Sequence, residues 1–458
     1  MSAVSSMRQM LETRVRPALG DGTSALVGLQ ILTAVLRLCS SIILTRLLVP
    51  TDYALAGIVT AVLVTLNLVA DLGLFAYVTR HASADHNTLK SVWTARLFRN
   101  GILALCMYFG AGAIASLYNA PELKLAMQVA ASIFIIDSFA SLSLFTAQRE
   151  RRVLRVSVLE FAKYALVTLV TIIAAAYLRN YWAIIIGSFA GSLFFLYASY
   201  RLIPGPMPGF RINREELLEL WKFSRFIIPA SLISIVLTQT DKFYFANFFS
   251  KDELGKFMLA ASLAIPAGTI VKQYSLRVFF PLYAQKLRAG VPEPQRVYYD
   301  SRWRITLAFA LCIGGVIGGA DLIVKILFNE DYAGTGLYLS LIFLAPLARL
   351  NTQPAENAVQ AHGFIRATLT ANVLRALWIG LAGGAAFWLF DPFAVVVAIC
   401  LREIAMIPFF WWNQHRFKIF NLWRELIVYA VAGVGVLIGF SGKSAIFALV
   451  ENGILPNF

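Results

Sequence analysis

Charge is what this chain has least of. Only 14% of its 458 residues are charged and 59% are hydrophobic, with a mean hydropathy of +0.70. An ordinary soluble domain carries about 25% charge, so the composition excludes that class and points to a membrane protein. Cysteine is scarce too. Cys39, Cys106, Cys312 and Cys400 all fall inside apolar runs, so they read as small core residues and exclude a disulfide framework or a thiolate metal site. The four histidines, His81, His86, His362 and His415, lie scattered in loops and at helix ends, without the spacing of metal ligands. Gly442-Lys443-Ser444 has the tail of a phosphate loop, but Leu437 stands where the first glycine belongs. No cofactor is expected, and the chain does not read as an enzyme. Arg8, Arg14 and Arg16 precede the first apolar run, so no cleavable signal peptide is expected.

What is abundant is apolar length. Runs of about 20 residues, each able to cross roughly 30 Å of hydrocarbon, recur along the whole chain. They predict membrane helices near 24–46, 53–78, 93–117, 121–147, 155–178 and 181–203, then 223–249, 253–281, 302–328, 335–361, 366–390 and 392–413. Between the sets, the prolines of IPGPMPGF (203–210) cannot continue a helix. In RINREELLELWKFSRF, charges interleave with Leu217, Leu218, Leu220 and Trp221, the pattern of a short amphipathic helix on a membrane surface. The predicted organisation is an N-terminal lobe over 1–203, a cytoplasmic linker over 204–222, a C-terminal lobe over 223–413, and a basic loop with an extra apolar segment over 414–458. The fold class is an all-α polytopic membrane protein: two six-helix bundles in parallel repeat around a central cleft. Whether the thirteenth run, 426–441, spans is left open by the sequence.

Basic residues set the orientation. With the N-terminus cytoplasmic, the inner segments hold 23 Lys and Arg and the outer segments 7, a strong positive-inside bias. That bias accounts for much of the net charge of +15, so nucleic-acid binding is not needed to explain it.

The two halves open alike. From Arg37 to Leu74 the chain reads helix, polar break at Val49-Pro50-Thr51-Asp52, helix; from Leu237 to Tyr274 the same grammar returns. Superposing them sets Asp52 on Glu253 and Asp71 on Lys272. Paired halves with buried charge suggest a transporter.

TRLLVPTDYALAG (45–57) followed by LVADLGL (68–74) resembles the first hairpin of the Wzx-type polysaccharide or oligosaccharide flippases. These form a branch of the multidrug/oligosaccharidyl-lipid/polysaccharide exporter superfamily. TDKFYFANFFSKDELGKFMLA (240–260) and VFFPLYAQ (278–285) resemble that family's seventh and eighth helices. The resemblance covers roughly residues 20–415. Ala54 departs from it, standing where the first hairpin usually carries glycine, while Gly255 keeps glycine in the second. The resemblance implies a multi-pass protein of the bacterial inner membrane that turns over an undecaprenyl-diphosphate-linked oligosaccharide by alternating access. Its implied partners are that lipid-linked substrate, membrane lipids, and the polymerase and chain-length machinery of polysaccharide export.

A lipid diphosphate crossing a low-dielectric slab needs cations at depth, and arginine matches phosphate oxygens bidentately. Arg37, about 13 residues or roughly 20 Å into its helix, is the first candidate. Lys272, Arg277, Lys242 and Arg349 are the other candidate substrate contacts, and Arg375 is a weaker one. Asp71, Asp241, Asp137 and Glu356 are candidates for gating or ion coupling. Asp137 has no basic neighbour on its own helix face, and desolvation favours its neutral form. Asp71 and Lys272, equivalent in the repeat, are expected to pair as a gate. Glu160 and Lys163, at i and i+3, read as a local ion pair. An alternative reading within transporters is a cation-coupled multidrug or metabolite exporter, with acidic and aromatic cavity residues. A membrane-embedded polymerase would need a large catalytic outer loop, and no predicted outer loop exceeds about a dozen residues.

Overall fold

The computed structural model describes residues 21–451 except 71–72, 75–77, 79–85, 144–145, 148–152, 203–208, 226, 290–292 and 365. Asp71, and with it the expected Asp71–Lys272 gate, lies outside the described residues. The described residues form helices and connecting turns, with no strand among them. They divide into two compact units, Met1–Leu44 with Ala70–Ile227, and Thr45–Val69 with Ile228–Phe458.

The first unit holds α1 (Asp21–Thr45, its last residue excepted), α3 (His86–Leu117), α4 (Glu122–Phe139), α5 (Val153–Leu178), α6 (Trp182–Arg201) and the short α7 (Arg214–Ser224). The second holds α2 (Pro50–Val69), α8 (Ile227–Phe248, after its first residue), α9 (Lys251–Tyr274), α10 (Phe280–Arg288), α11 (Pro294–Asp300), α12 (Trp303–Leu327), α13 (Thr335–Ala361), α14 (Ala367–Leu389), α15 (Pro392–Cys400), α16 (Ile407–Arg416) and α17 (Leu422–Glu451). Ten spans among the described residues are long and apolar enough to cross a membrane, and α17 supplies one of them. The protein is multi-pass. Helices α4, α8 and α13 fall outside the ten. They carry Asp137, the Asp241-Lys242 pair, and Arg349 with Glu356.

Two helix boundaries differ from the sequence reading for visible reasons. α4 stops at Phe139 rather than near 147, because Ala140 turns extended. Ser199 of α6 then captures the chain: Ser141 N donates to its Oγ at 3.0 Å, and Ser143 Oγ donates to its carbonyl at 2.6 Å. α2 begins at Pro50, since proline suits a first turn whose N–H groups lack partners anyway. There Asp52 Oδ2 accepts from Val49 N at 3.3 Å. In α9, Glu253 Oε2 accepts from Ser250 N at 3.4 Å, and Ser250 Oγ accepts from Glu253 N at 3.1 Å, a complete capping box. The two carboxylates that the repeat superposes thus make the same backbone bond.

α2 packs on α9 through glycine. A Cβ on Gly255 would stand 1.8 Å from the Pro50 carbonyl oxygen, so only glycine admits this approach. Tyr332 Oη donates to Leu48 O at 2.8 Å across the same end, edge-on to Tyr53. The thirteenth run, α17, is fixed to α12 in the same manner. Cβ atoms on Gly314 and Gly318 would meet the carbonyls of Ala432 and Val436 at 2.0 and 2.1 Å; on Gly435 and Gly439, those of Leu311 and Gly315 at 2.3 and 2.4 Å. Small residues let helix backbones close together where lipid offers no hydrophobic drive. Below that seam, Arg302 is fully buried. It pairs with Glu425, donates to Leu350 O and Asn351 Oδ1 at 3.1 and 3.0 Å, and lies over Tyr298 at 4.6 Å.

The short α7 packs within the first unit. Leu220 is buried with Val92 and Trp93 of α3, Phe210 meets Trp93 edge-on, and Arg211 N donates to Thr94 Oγ1 at 3.0 Å. Trp221 and Leu218 stay exposed. The cysteines depart from the reading of all four as core: Cys39, Cys106 and Cys312 are exposed and only Cys400 is buried. Their apolar runs present one helix face outward, and a periodic run cannot say which. The Gly442-Lys443-Ser444 tripeptide lies inside α17, where Lys443 pairs with Asp321, so it is no loop at all.

Candidate functional site

Two of the second unit's spans lose α-helical regularity partway. After α9 the backbone runs as a π-helical turn over Ser275–Phe279 before α10 resumes. Between α15 and α16, Leu401–Met406 is a 3₁₀ segment. Irregular backbone at membrane depth is tolerated where it lines a cavity, and single π turns are frequent at functional sites. Both irregular segments line one cavity of about 420 Å³, through Leu276 on one side and Arg402 and Glu403 on the other.

The remaining walls come from α8, α9, α13 and α14. Lys272, Arg349, Arg375 and Arg402 face Glu356 and Glu403 across them, leaving two positive charges in excess. Ser234, Thr238, Gln353, Asn372 and Thr368 supply neutral hydrogen-bonding groups, and none of the described lining residues is aromatic. α13 carries Pro346 and Pro354 in its interior, each removing a helix hydrogen bond on the way to the cavity.

Glu403 is the hub. Its Oε1 accepts from Arg349 Nε at 3.2 Å and Nη2 at 2.7 Å; its Oε2 accepts from Arg375 Nε at 3.1 Å. It is almost fully buried, and two guanidinium groups satisfy it in the fork geometry that arginine favours. Arg375 Nη1 also donates to Asn372 Oδ1 at 2.9 Å, and its Nη2 stands 4.0 Å from Glu356. Thr368 Oγ1 donates to Glu356 Oε1 at 2.5 Å. Lys272 is exposed to the cavity.

Of the sequence candidates, the cavity brings together Lys272, Arg349, Glu356 and the weaker candidate Arg375. Asp241 lines a separate cavity of about 40 Å³ with Cys400 and Arg402. Lys242 turns to Gln239, donating to its Oε1 at 3.0 Å. Arg277 sits half-buried in the π turn. Arg37 and Asp137 belong to the first unit. Arg37 lies over the Tyr164 ring at 5.3 Å. Arg96 of α3 donates to the backbone carbonyl of Asp137, and Arg96 and Lys163 lie within electrostatic reach of its carboxyl, so its basic neighbours come from other helices. The Glu160–Lys163 pair does not close to contact distance among the described residues; Lys163 Nζ lies over Phe195 at 4.7 Å instead. Arg402 and Glu403 were not singled out in sequence. The signal was there, as adjacent opposite charges inside an apolar span.

This architecture has the fold of solved membrane transporters. It is similar to the lipid II flippase MurJ in its inward closed conformation, with a TM-score of 0.68 at 11% identity, covering 92% of this chain and 98% of that one. An inward-facing multidrug resistance MATE family transporter of the MOP superfamily aligns with a TM-score of 0.62 at 15% identity, over 86% and 98%. Residues 43–291 match the family described as polysaccharide biosynthesis protein, and the chain belongs to that family. Teichuronic acid biosynthesis protein TuaB of Bacillus subtilis (strain 168) is 20% identical over 65% of this chain, and succinoglycan biosynthesis transport protein ExoT of Rhizobium meliloti (strain 1021) is 19% identical over 66%. The chain spans 61% of the length of each relative. The similar solved structures are transporters rather than enzymes.

Proposed function

We propose that the protein is a flippase for undecaprenyl-diphosphate-linked oligosaccharide repeat units. It carries them from the cytoplasmic to the outer leaflet of a bacterial inner membrane, with its own N-terminus cytoplasmic. The observation that carries this reading is the charge of the 420 Å³ cavity: four bases against two carboxylates. A diphosphate or an acidic sugar would offset the excess, and the neighbouring amides and hydroxyls suit sugar hydroxyl groups. A cation-coupled exporter calls for acidic and aromatic lining, whereas the described lining residues carry a basic excess and no aromatic ring. Lys272 and Arg349 are the proposed substrate contacts of the second unit, Arg37 that of the first. Alternating access would deliver the cargo to polymerase and chain-length partners on the outer side.

The test is genetic and chemical together. Deleting the gene should make a lipid-linked saccharide accumulate on the inner leaflet. Wild-type protein should clear it, and Lys272→Ala or Arg349→Ala at normal protein level should clear it poorly. Normal polysaccharide export without the protein, or full clearance by both variants, would overturn the reading.

A further inference from the structure

Two of the cavity's four bases, Lys272 and Arg402, have no ion-pair partner among the described residues, and Arg402 is the one that also reaches a second cavity. Arg349 and Arg375 are both held by Glu403, whereas Arg402 makes no hydrogen bond or ion pair among the described residues. A guanidinium in a membrane span needs a counter-charge. Arg402 is half-buried in the 3₁₀ segment, and among the described residues it alone lines both the 420 Å³ cavity and the 40 Å³ one. The small cavity holds the other half-satisfied charge. Among the described residues Asp241 Oδ1 accepts only from the backbone N–H of Lys242, at 2.9 Å, and the Lys242 ammonium is drawn off to Gln239. Asp241 and Arg402 therefore share a pocket without touching. Its remaining lining is Phe245, Phe257, Ile342, Ala345, Val396, Ile399 and Cys400. A water needs about 10–15 Å³ by this measure, so the space admits two or three waters and no sugar.

Resting on the cargo reading above, we propose that Arg402 is a mobile cation shared by the two cavities. With the large cavity empty it is held toward Asp241 through water. When an anionic cargo enters, the guanidinium turns to the cargo and leaves Asp241. Asp241 thereby acts as a positioning residue: it competes with the cargo for one arginine and sets how tightly the cargo is held. The 3₁₀ backbone, with poorer hydrogen bonds than an α-helix, gives Arg402 the local freedom to turn.

Farnesyl diphosphate, with farnesol as the uncharged control, serves as the probe for the purified full-length protein in nanodiscs, read by calorimetry. Arg402→Ala should weaken diphosphate binding at least about tenfold. Asp241→Asn should tighten it several-fold, a gain that misfolding cannot produce. In the Arg402→Ala background, Asp241→Asn should change nothing, a silence that a merely structural role for Asp241 would not yield. If wild-type protein prefers the diphosphate but Asp241→Asn binds no tighter, or tightens equally without Arg402, the shared cation is wrong and the cargo reading stands. If wild-type protein binds diphosphate no better than farnesol, both fall.

Discussion

Glycines of the α12–α17 seam make opposite predictions two residues apart. A Cβ on Gly435 would stand 2.3 Å from Leu311 O, and one on Gly314 would stand 2.0 Å from Ala432 O, where ordinary contact begins at 3.4 Å. Alanine at Gly314 therefore forces the backbones apart by roughly 1.4 Å. A gap of even 0.5–1 Å forfeits about a quarter to a half of each dispersion contact beside it, and overpacking a fitted site costs about 1–3 kcal/mol. Gly433, two residues before Gly435 on α17, has nothing within 4 Å of its would-be Cβ. Alanine there meets no neighbour and recovers up to about 1 kcal/mol of helix propensity. Gly314→Ala and Gly433→Ala should thus differ by about 2–3 kcal/mol. At about 2–4 °C per kcal/mol for a unit of roughly 250 residues, their melting temperatures should separate by around 5 °C or more. Thermal unfolding followed by size-exclusion of the detergent-solubilised protein reads this directly. Equal shifts for the two variants would refute the close packing of α17.

Glu425→Gln should cost about 3–5 kcal/mol by stranding the buried Arg302, and Arg302→Met with Glu425→Leu should recover most of it. An unchanged melting temperature in the single variant would contradict a stabilising Arg302–Glu425 pair. Burial holds the His362 imidazole below its ordinary pKa of 6.5, beside Tyr283 Oη at 2.9 Å. Its neutral form is the stable one, so stability is full above about pH 6.5 and declines as pH falls below it. His362→Gln should flatten that decline, and an unaltered slope would argue against it. Arg37→Ala should abolish export at normal expression while Arg37→Lys, keeping charge without the fork, retains part; full activity in the alanine variant would remove Arg37 from the cargo path. A cysteine at Glu219, which is exposed on α7, should react with an impermeant thiol reagent only from the cytoplasmic side, and labelling in intact spheroplasts would reverse the orientation.

The helices were legible in the sequence because their signal is collective: twenty apolar residues in a row leave few alternatives. Lys272, Arg349 and Glu356 were legible for the converse reason, each being a charge where charge is expensive. What escaped depends on single backbone angles or on partners far along the chain. The turns at Ser275–Phe279 and Leu401–Met406 sit in strings that read as unbroken spans, so Arg402 and Glu403 passed as part of one. Cys312 and Gly314 lie two residues apart in α12, yet one is exposed and the other buried against α17. Periodicity within a uniformly apolar helix does not say which side meets protein and which meets lipid.

The bridging of Glu403 by two arginines has an electrical consequence. An excess charge that changes depth in the field as a carrier turns over is worked on by the membrane potential, at about 2.3 kcal/mol per elementary charge per 100 mV for a full crossing. With Glu403 and Glu356 as resident counter-ions, the empty cavity exposes two net charges to that field rather than four. A doubly anionic cargo would bring the loaded cavity to neutrality, so the voltage would bear on the unloaded return step and leave the loaded step nearly untouched.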